Sequence, residues 1–205
     1  GAAFGVHCAE VVACGRCGRR APAGPPHTSL IHTAPAAALR TIVAGRPPIP
    51  FGKALQAVAV SSRTCAGCGQ PAPAVPVIGP PLPRAFVLQL AWDSAAAPPD
   101  AIAATLAAMG EEIDLADLYG QAALAAAAAT PGHQHQQHQH QQAPPPSTRY
   151  ALSAAICFYG AHYSALIASP GSGAALGTRR AYDLMDDASA SRVGAWPDVV
   201  ARCVA

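Results

Sequence analysis

The chain has 205 residues, enough for one domain with an adequate core. Its net charge is only +2 and 12% of its residues are charged, a balance that argues against a basic nucleic-acid groove. The longest wholly apolar run, Ala122 to Ala129, is too short and too weakly hydrophobic to span a bilayer, so no membrane partner is expected.

From the N-terminus, Phe4, Val6, Cys8, Val11 and Val12 read as a strand that leads into Cys14-Gly15-Arg16-Cys17-Gly18. The glycines there permit the tight turn of a metal knuckle, and a return strand follows to about residue 20. Thr28-Ser29-Leu30-Ile31-His32 is a short strand. Phe51, Leu55 and Val58 form a helical stripe with Pro50 just before its first turn. A second knuckle is Cys65-Ala66-Gly67-Cys68-Gly69, and prolines punctuate residues 71 to 83.

Phe86 to Trp92 reads as a buried strand. Pro98-Pro99-Asp100 opens a helix whose stripe is Ile102, Leu106, Met109 and Ile113, and Leu115, Leu118 and Tyr119 either close it or begin a short edge segment. From 120 to 147 an Ala run, a His/Gln tract and Pro144-Pro145-Pro146 read as a disordered insertion. Tyr150 to Phe158 and Tyr163 to Ile167 form a hairpin around Gly160, Arg180 to Met185 is a third strand, and Trp196 to Cys203 a terminal helix.

Seven cysteines is an odd number, and four sit in Cys-x-x-Cys pairs. That pattern fits metal ligation in a reducing compartment, cytoplasmic and/or nuclear, better than a secreted disulfide framework. Cys14, Cys17, Cys65 and Cys68 together can close one tetrahedral zinc site, structural because four sulfurs leave no open position for water. His133, His135, His138 and His140 belong to the low-complexity tract and carry no specific site.

A second constellation lies near the C-terminus. His162 follows Gly160, and Asp186 and Asp187 end the predicted next strand at hairpin distance. A carboxylate there can accept from one ring nitrogen while the other faces a thiol. Cys157 is the nearest thiol in sequence, but it falls in a strand, whereas reactive thiols favour helix N-termini or electropositive clefts. Cys157, Cys203 and Cys8 are therefore expected to be packing residues.

Three stretches resemble the ubiquitin-specific protease family of cysteine deubiquitinases, and within it a divergent branch of plants and their relatives, the ubiquitin carboxyl-terminal hydrolase-related proteins. They are Cys14-Gly15-Arg16-Cys17-Gly18; Phe86 through Trp92 with Ala101-Ile102-Ala103-Ala104-Thr105-Leu106; and Cys157-Phe158-Tyr159-Gly160-Ala161-His162-Tyr163. The resemblance implies an α+β, papain-like hand fold. Residues 1–83 would be fingers bearing the zinc knuckles, and 84–119 with 148–205 the palm. It also implies that His162 is the catalytic base, Asp186 its orienter, Asp187 the following acid, and ubiquitin and ubiquitinated proteins the partners.

Ala161 stands between the glycine and the histidine, as in the divergent branch, and Met185 replaces the usual aromatic before the first acid. Tyr182 stands where the family usually has tryptophan. The chain opens on Gly1 without an initiator methionine and has no leader pattern, which suggests a segment of a larger protein. The box supplying the nucleophilic cysteine is expected upstream of Gly1, and the family's last strand would lie beyond Cys203.

Overall fold

The structure is a computed structural model that describes residues 3–45, 49–94, 97–119, 147–159, 161–171 and 176–204. It is a mixed α and β chain with thirteen strands and five helices among the described residues. The expected insertion and its His/Gln tract lie outside the described residues except for Ser147.

The first sheet has the order β2-β1-β6-β5, with β3 also paired to β1. Its strands are β1 (Val6–Ala13), β2 (Arg20–Pro22), β3 (His27–Ser29), β5 (Ser61–Thr64) and β6 (Pro71–Gly79). β6 contains Pro71, Pro73 and Pro76, yet it lies inside the sheet order. Proline lacks the N–H a central strand needs. The registers remove the conflict: β5 pairs residues 71 to 74 of β6, whereas β1 pairs residues 74 to 79. Each half of β6 is thus an edge on one side.

The predicted strand at 28–32 is split, because Leu30 and Ile31 separate β3 from β4 (His32–Pro35). Sequence reading had no element for α1 (Ala36–Ala44), whose four alanines mute its periodicity. α2 (Phe51–Ala59) follows the predicted stripe, with Phe51 and Leu55 buried.

The predicted buried strand 86–92 shrinks to β7 (Leu88–Ala91), which among the described residues pairs only β4, in parallel. Neither face of a two-stranded ribbon is sealed, so Leu88, Leu90 and Ala91 are half-buried and Gln89 is exposed. α3 (Pro99–Met109) stops before the predicted Ile113, because Gly110 takes φ +61° and redirects the chain into β8 (Glu112–Asp114). β8 pairs β9 (Arg149–Ala151). Leu115 and Leu118 lie in the short α4 (Leu115–Tyr119), fully buried against α2. Gly52 permits that contact: a Cβ there would stand 2.7 Å from the Asp117 Cβ and 2.8 Å from the Asp114 carbonyl oxygen.

The second sheet runs β10 (Ala154–Tyr159), β11 (His162–Ala168), β12 (Tyr182–Asp186), β13 (Ser189–Gly194), all antiparallel. β13 was absent from the sequence reading; its Ser-Ala-Ser-Arg start has no apolar alternation to reveal it. α5 (Trp196–Cys203) covers one face of this sheet. Pro197 fits its first turn, and the Asp198 carboxylate accepts the N–H of Ala195 at 2.8 Å.

Three cores result. The largest joins Val6, Leu39, Leu55, Ile78, Leu115 and Leu118. A small one at the end of the first sheet holds Val12, Cys14, Cys65, Ala72 and Ala74. The third lies under the second sheet, where Tyr182 meets Trp196 edge-on at 5.8 Å and Leu166 and Val199 are buried. The indole N–H donates to the Leu106 carbonyl, tying α5 to α3.

Candidate functional site

The two cysteine pairs occupy the same end of the first sheet, one at the β1–β2 tip and one at the β5–β6 tip. Both turns are built alike. The Cys14 N–H donates to Arg19 O and Gly18 N–H to Cys14 O; Cys65 N–H donates to Gln70 O and Gly69 N–H to Cys65 O. Gly18 and Gly69 take φ +71° and +69°, a left-handed turn that glycine enters without strain. Because β1 and β6 are paired neighbours, the tips face one another.

All four sulfurs lie within 4.8 Å of one another, with Cys14–Cys68 at 3.5 Å and Cys17–Cys65 at 3.6 Å. Sulfurs around a zinc with about 2.3 Å bonds stand about 3.8 Å apart, so donor set and spacing both fit one zinc ion. The metal-free thiols already differ. Backbone N–H groups of Cys17 and Arg16 lower Cys14 to about 6, and those of Gly67 and Cys68 lower Cys65. The Gln70 N–H pulls Cys68 down, but Cys14, burial and the other two sulfurs together push it up to about 12. The cluster thus holds its charge unevenly until a cation accepts all four thiolates. The remaining described site lies on the second sheet.

β11 begins with His162 and the antiparallel β12 ends with Asp186, so both side chains reach the same end of the sheet. Alternation puts them on one face: His162, Ser164 and Leu166 on β11, and Tyr182, Leu184 and Asp186 on β12. That face is the buried one, since Leu166 and Tyr182 belong to the third core. The site is where this core face opens to solvent, with the side chains of His162 and Asp186 40% and 46% exposed.

The His162 Nε2–H donates to Asp186 Oδ1 at 2.5 Å. This fixes the ring and leaves Nδ1 for a reacting group. The bond to Asp186 raises the His162 pKa above its ordinary value; slight desolvation opposes this, and the charges of Asp186 and Asp187 add to it. Asp187 sits at φ +50° in the turn beyond β12, with its carboxylate in the same group of donor atoms, all within 4.8 Å. The Ser189 hydroxyl donates to the Asp186 carbonyl and secures that turn. Ala161 takes φ +66°, so the residue before His162 occupies a left-handed position unfavourable for alanine. Gly160 is outside the described residues.

Tyr182 anchors the site from below, its hydroxyl donating to Glu111 and lying 3.4 Å from Leu152 O. Arg180, buried just before β12, lies 4.0 Å from Glu112, which Arg149 pairs at 2.6 Å and the Gly177 N–H also reaches. This ionic anchor was not foreseen, because its members come from three distant segments. Among the described residues no thiol joins the group around His162. Cys8 is buried against Tyr119, and Cys157 and Cys203 are partly buried against the third core.

No family description matches the chain, and no curated protein matches it. Among solved structures, it is similar to the SAGA DUB module of Ubp8, Sgf11, Sus1 and Sgf73, at 11% identity and TM-score 0.48, over 96% of this chain and 38% of that one. It is also similar to a SAGA DUB module bound to monoubiquitin, at 12% identity and TM-score 0.48, over 93% and 37%. The chain therefore spans little more than a third of the length of these structures.

Proposed function

We propose that the chain is the fingers-and-palm part of a papain-like cysteine deubiquitinase of the ubiquitin-specific protease type. The observation that carries this reading is the hydrogen bond between His162 Nε2 and Asp186 at the open end of a core face, with no bond to Nδ1 among the described residues. The paired knuckles and the segment Cys157 to Tyr163 support it through the motifs they resemble. In this reading a thiol from a part of the parent protein outside this chain attacks the carbonyl after the ubiquitin C-terminal glycine. His162 takes the thiol proton at Nδ1 and returns it to the leaving amine, while Asp186 holds the ring and stabilises the imidazolium. Asp187 adds negative charge beside it. The zinc is structural, and the protein works in the reducing cytoplasm or nucleus.

The test uses the parent protein, a fluorogenic ubiquitin C-terminal substrate and a ubiquitin probe that captures thiols. Activity is expected, lost by roughly 10³-fold or more in His162→Ala and strongly reduced in Asp186→Asn. Full activity in His162→Ala would refute the assignment. The absence of a thiol beside His162 among the described residues favours one second reading, an inactive ubiquitin-binding scaffold of the same fold. A parent protein that binds ubiquitin but never labels would establish that alternative.

A further inference from the structure

Five of the eleven large hydrophobic side chains left exposed among the described residues stand on one face of the second sheet: Ile156, Phe158, Tyr163, Ile167 and Met185. The first three are 77%, 61% and 65% exposed. Because side chains alternate along a strand, this is the face turned away from His162, Leu166, Tyr182 and the third core.

The registers arrange these residues in rows across the strands. One row is Ile156, Ala165, Met185 and Ala190, one residue from each of β10, β11, β12 and β13. On one side of it stand Phe158 and Tyr163, with ring centroids 4.5 Å apart. On the other side stand Ala154, Ile167, Asp183 and Arg192. The middle row thus alternates large, small, large, small. Ala165 is a hollow whose four nearest neighbours on the face are Ile156, Met185, Tyr163 and Ile167. We propose that this face is the contact between two copies of the chain, packed sheet on sheet about a two-fold axis parallel to the strands.

Three features select a second copy as the occupant. The first is shape. A two-fold axis between β11 and β12 sets β10 of one copy over β13 of the other, and β11 over β12. Ile156 then stands over the partner's Ala190, and Met185 over the partner's Ala165. Every large side chain of the row meets a small one, in both directions, as an isologous contact requires. The second feature is charge. Asp183 and Arg192 are the only charged side chains in the three rows, and they pair with each other at 3.4 Å in one corner. The face therefore has no net charge to repel its copy or to select a charged partner. The third is area. Side chains of this size at these exposures present on the order of 600 Å² of apolar surface, the top of the range a monomer leaves bare, and two such faces bury about 1,200 Å², the lower end of specific interfaces. Aligned sheets pack about 10 Å apart with their facing side chains interdigitated, which suits the alternating row. His162 and Asp186 lie on the opposite face, so pairing leaves them open, and this inference does not depend on the deubiquitinase reading.

An interface of this size dissociates in the micromolar range, so sedimentation of the zinc-loaded chain across about 1–100 µM should show a dimer of twice the 20.6 kDa chain mass. Ile156→Lys, at the most exposed of these positions, should weaken pairing by about tenfold or more, since it places a charge at both ends of the contact. Ala165→Met fills the hollow and Met185→Ala removes the side chain that enters it, and each should weaken pairing by about tenfold. The double variant Ala165→Met/Met185→Ala exchanges knob and hollow and should restore the dimer. Unchanged amide exchange in β11 and β12 shows that each variant keeps its fold. A chain that stays monomeric throughout the range overturns the proposal, as does a dimer indifferent to Ile156→Lys. A double variant no better than its singles also overturns it, because that outcome marks general stickiness in place of a matched face. So does a parent protein that stays monomeric with another of its parts covering the face. If the Ala165 variants fail to fold, Ile156→Lys decides.

Discussion

Removing zinc should melt the tip of the first sheet and leave the rest of the fold standing. The apolar support at the tip is Val12, Ala72 and Ala74 beside the sulfurs, worth about 3–4 kcal/mol of burial. Ordering the two knuckle turns, roughly a dozen residues, costs on the order of 12–24 kcal/mol. Four thiolates on zinc supply about 10–16 kcal/mol at neutral pH, which closes the balance only with the metal present. β1 should divide accordingly, because Val6 and Cys8 belong to the main core whereas Val12 belongs to the tip. The assay is amide exchange on protein lacking residues 133 to 142, so that histidines of the tract do not hold metal. After chelation, the amides of Cys14, Gly18, Cys65 and Gly69 should lose protection, while those of α2 and β11 keep theirs. Cys65→Ser should reproduce the pattern, and metal analysis of the intact chain should give about one zinc. Unchanged protection at those four amides after complete chelation would refute the reasoning, as would loss of the main core together with the tip.

NMR titration of His162 should give a midpoint above its ordinary value that falls in Asp186→Asn, because the carboxylate bond favours the imidazolium. The raised folded-state pKa makes this contribution to stability complete below the unfolded histidine pKa and lost as pH rises through the folded one, so the native chain and Asp186→Asn should differ least in alkali. Ala161→Gly should stabilise by about 1 kcal/mol in urea denaturation, since it removes the cost of a left-handed alanine. Gly52→Ala should destabilise by about 1–3 kcal/mol in the same assay, because α2 and α4 must part to admit the methyl group.

Several features were legible in the sequence because they are local. Cys-x-x-Cys-Gly occurs twice, and each copy folds as its own tight turn with the glycine at positive φ. The stripe of Phe51 and Leu55 and the strands on either side of Gly160 follow from periodicity within one segment. The approximate places of His162 and Asp186 at two strand ends were equally readable. Their contact was expected from hairpin distance, and the register that sets Leu166 opposite Leu184 brings one strand's start to the other's end and makes it.

Tertiary structure alone decided the rest. Alanine suits core and surface alike, so α1 had no pattern to read, and β13 had no apolar face. Ile113 matched the helical stripe of α3, but Gly110 ended the helix first and β9 gave Ile113 a strand partner instead. The prolines of β6 became acceptable only once two different neighbours each covered half the strand. Cys157 and Cys203, packing residues by their sequence surroundings, both lie against the third core, which forms only because α5 folds back onto the sheet. Local propensity writes turns and stripes into a sequence; which sulfur meets which sulfur depends on how the layers close around a shared core.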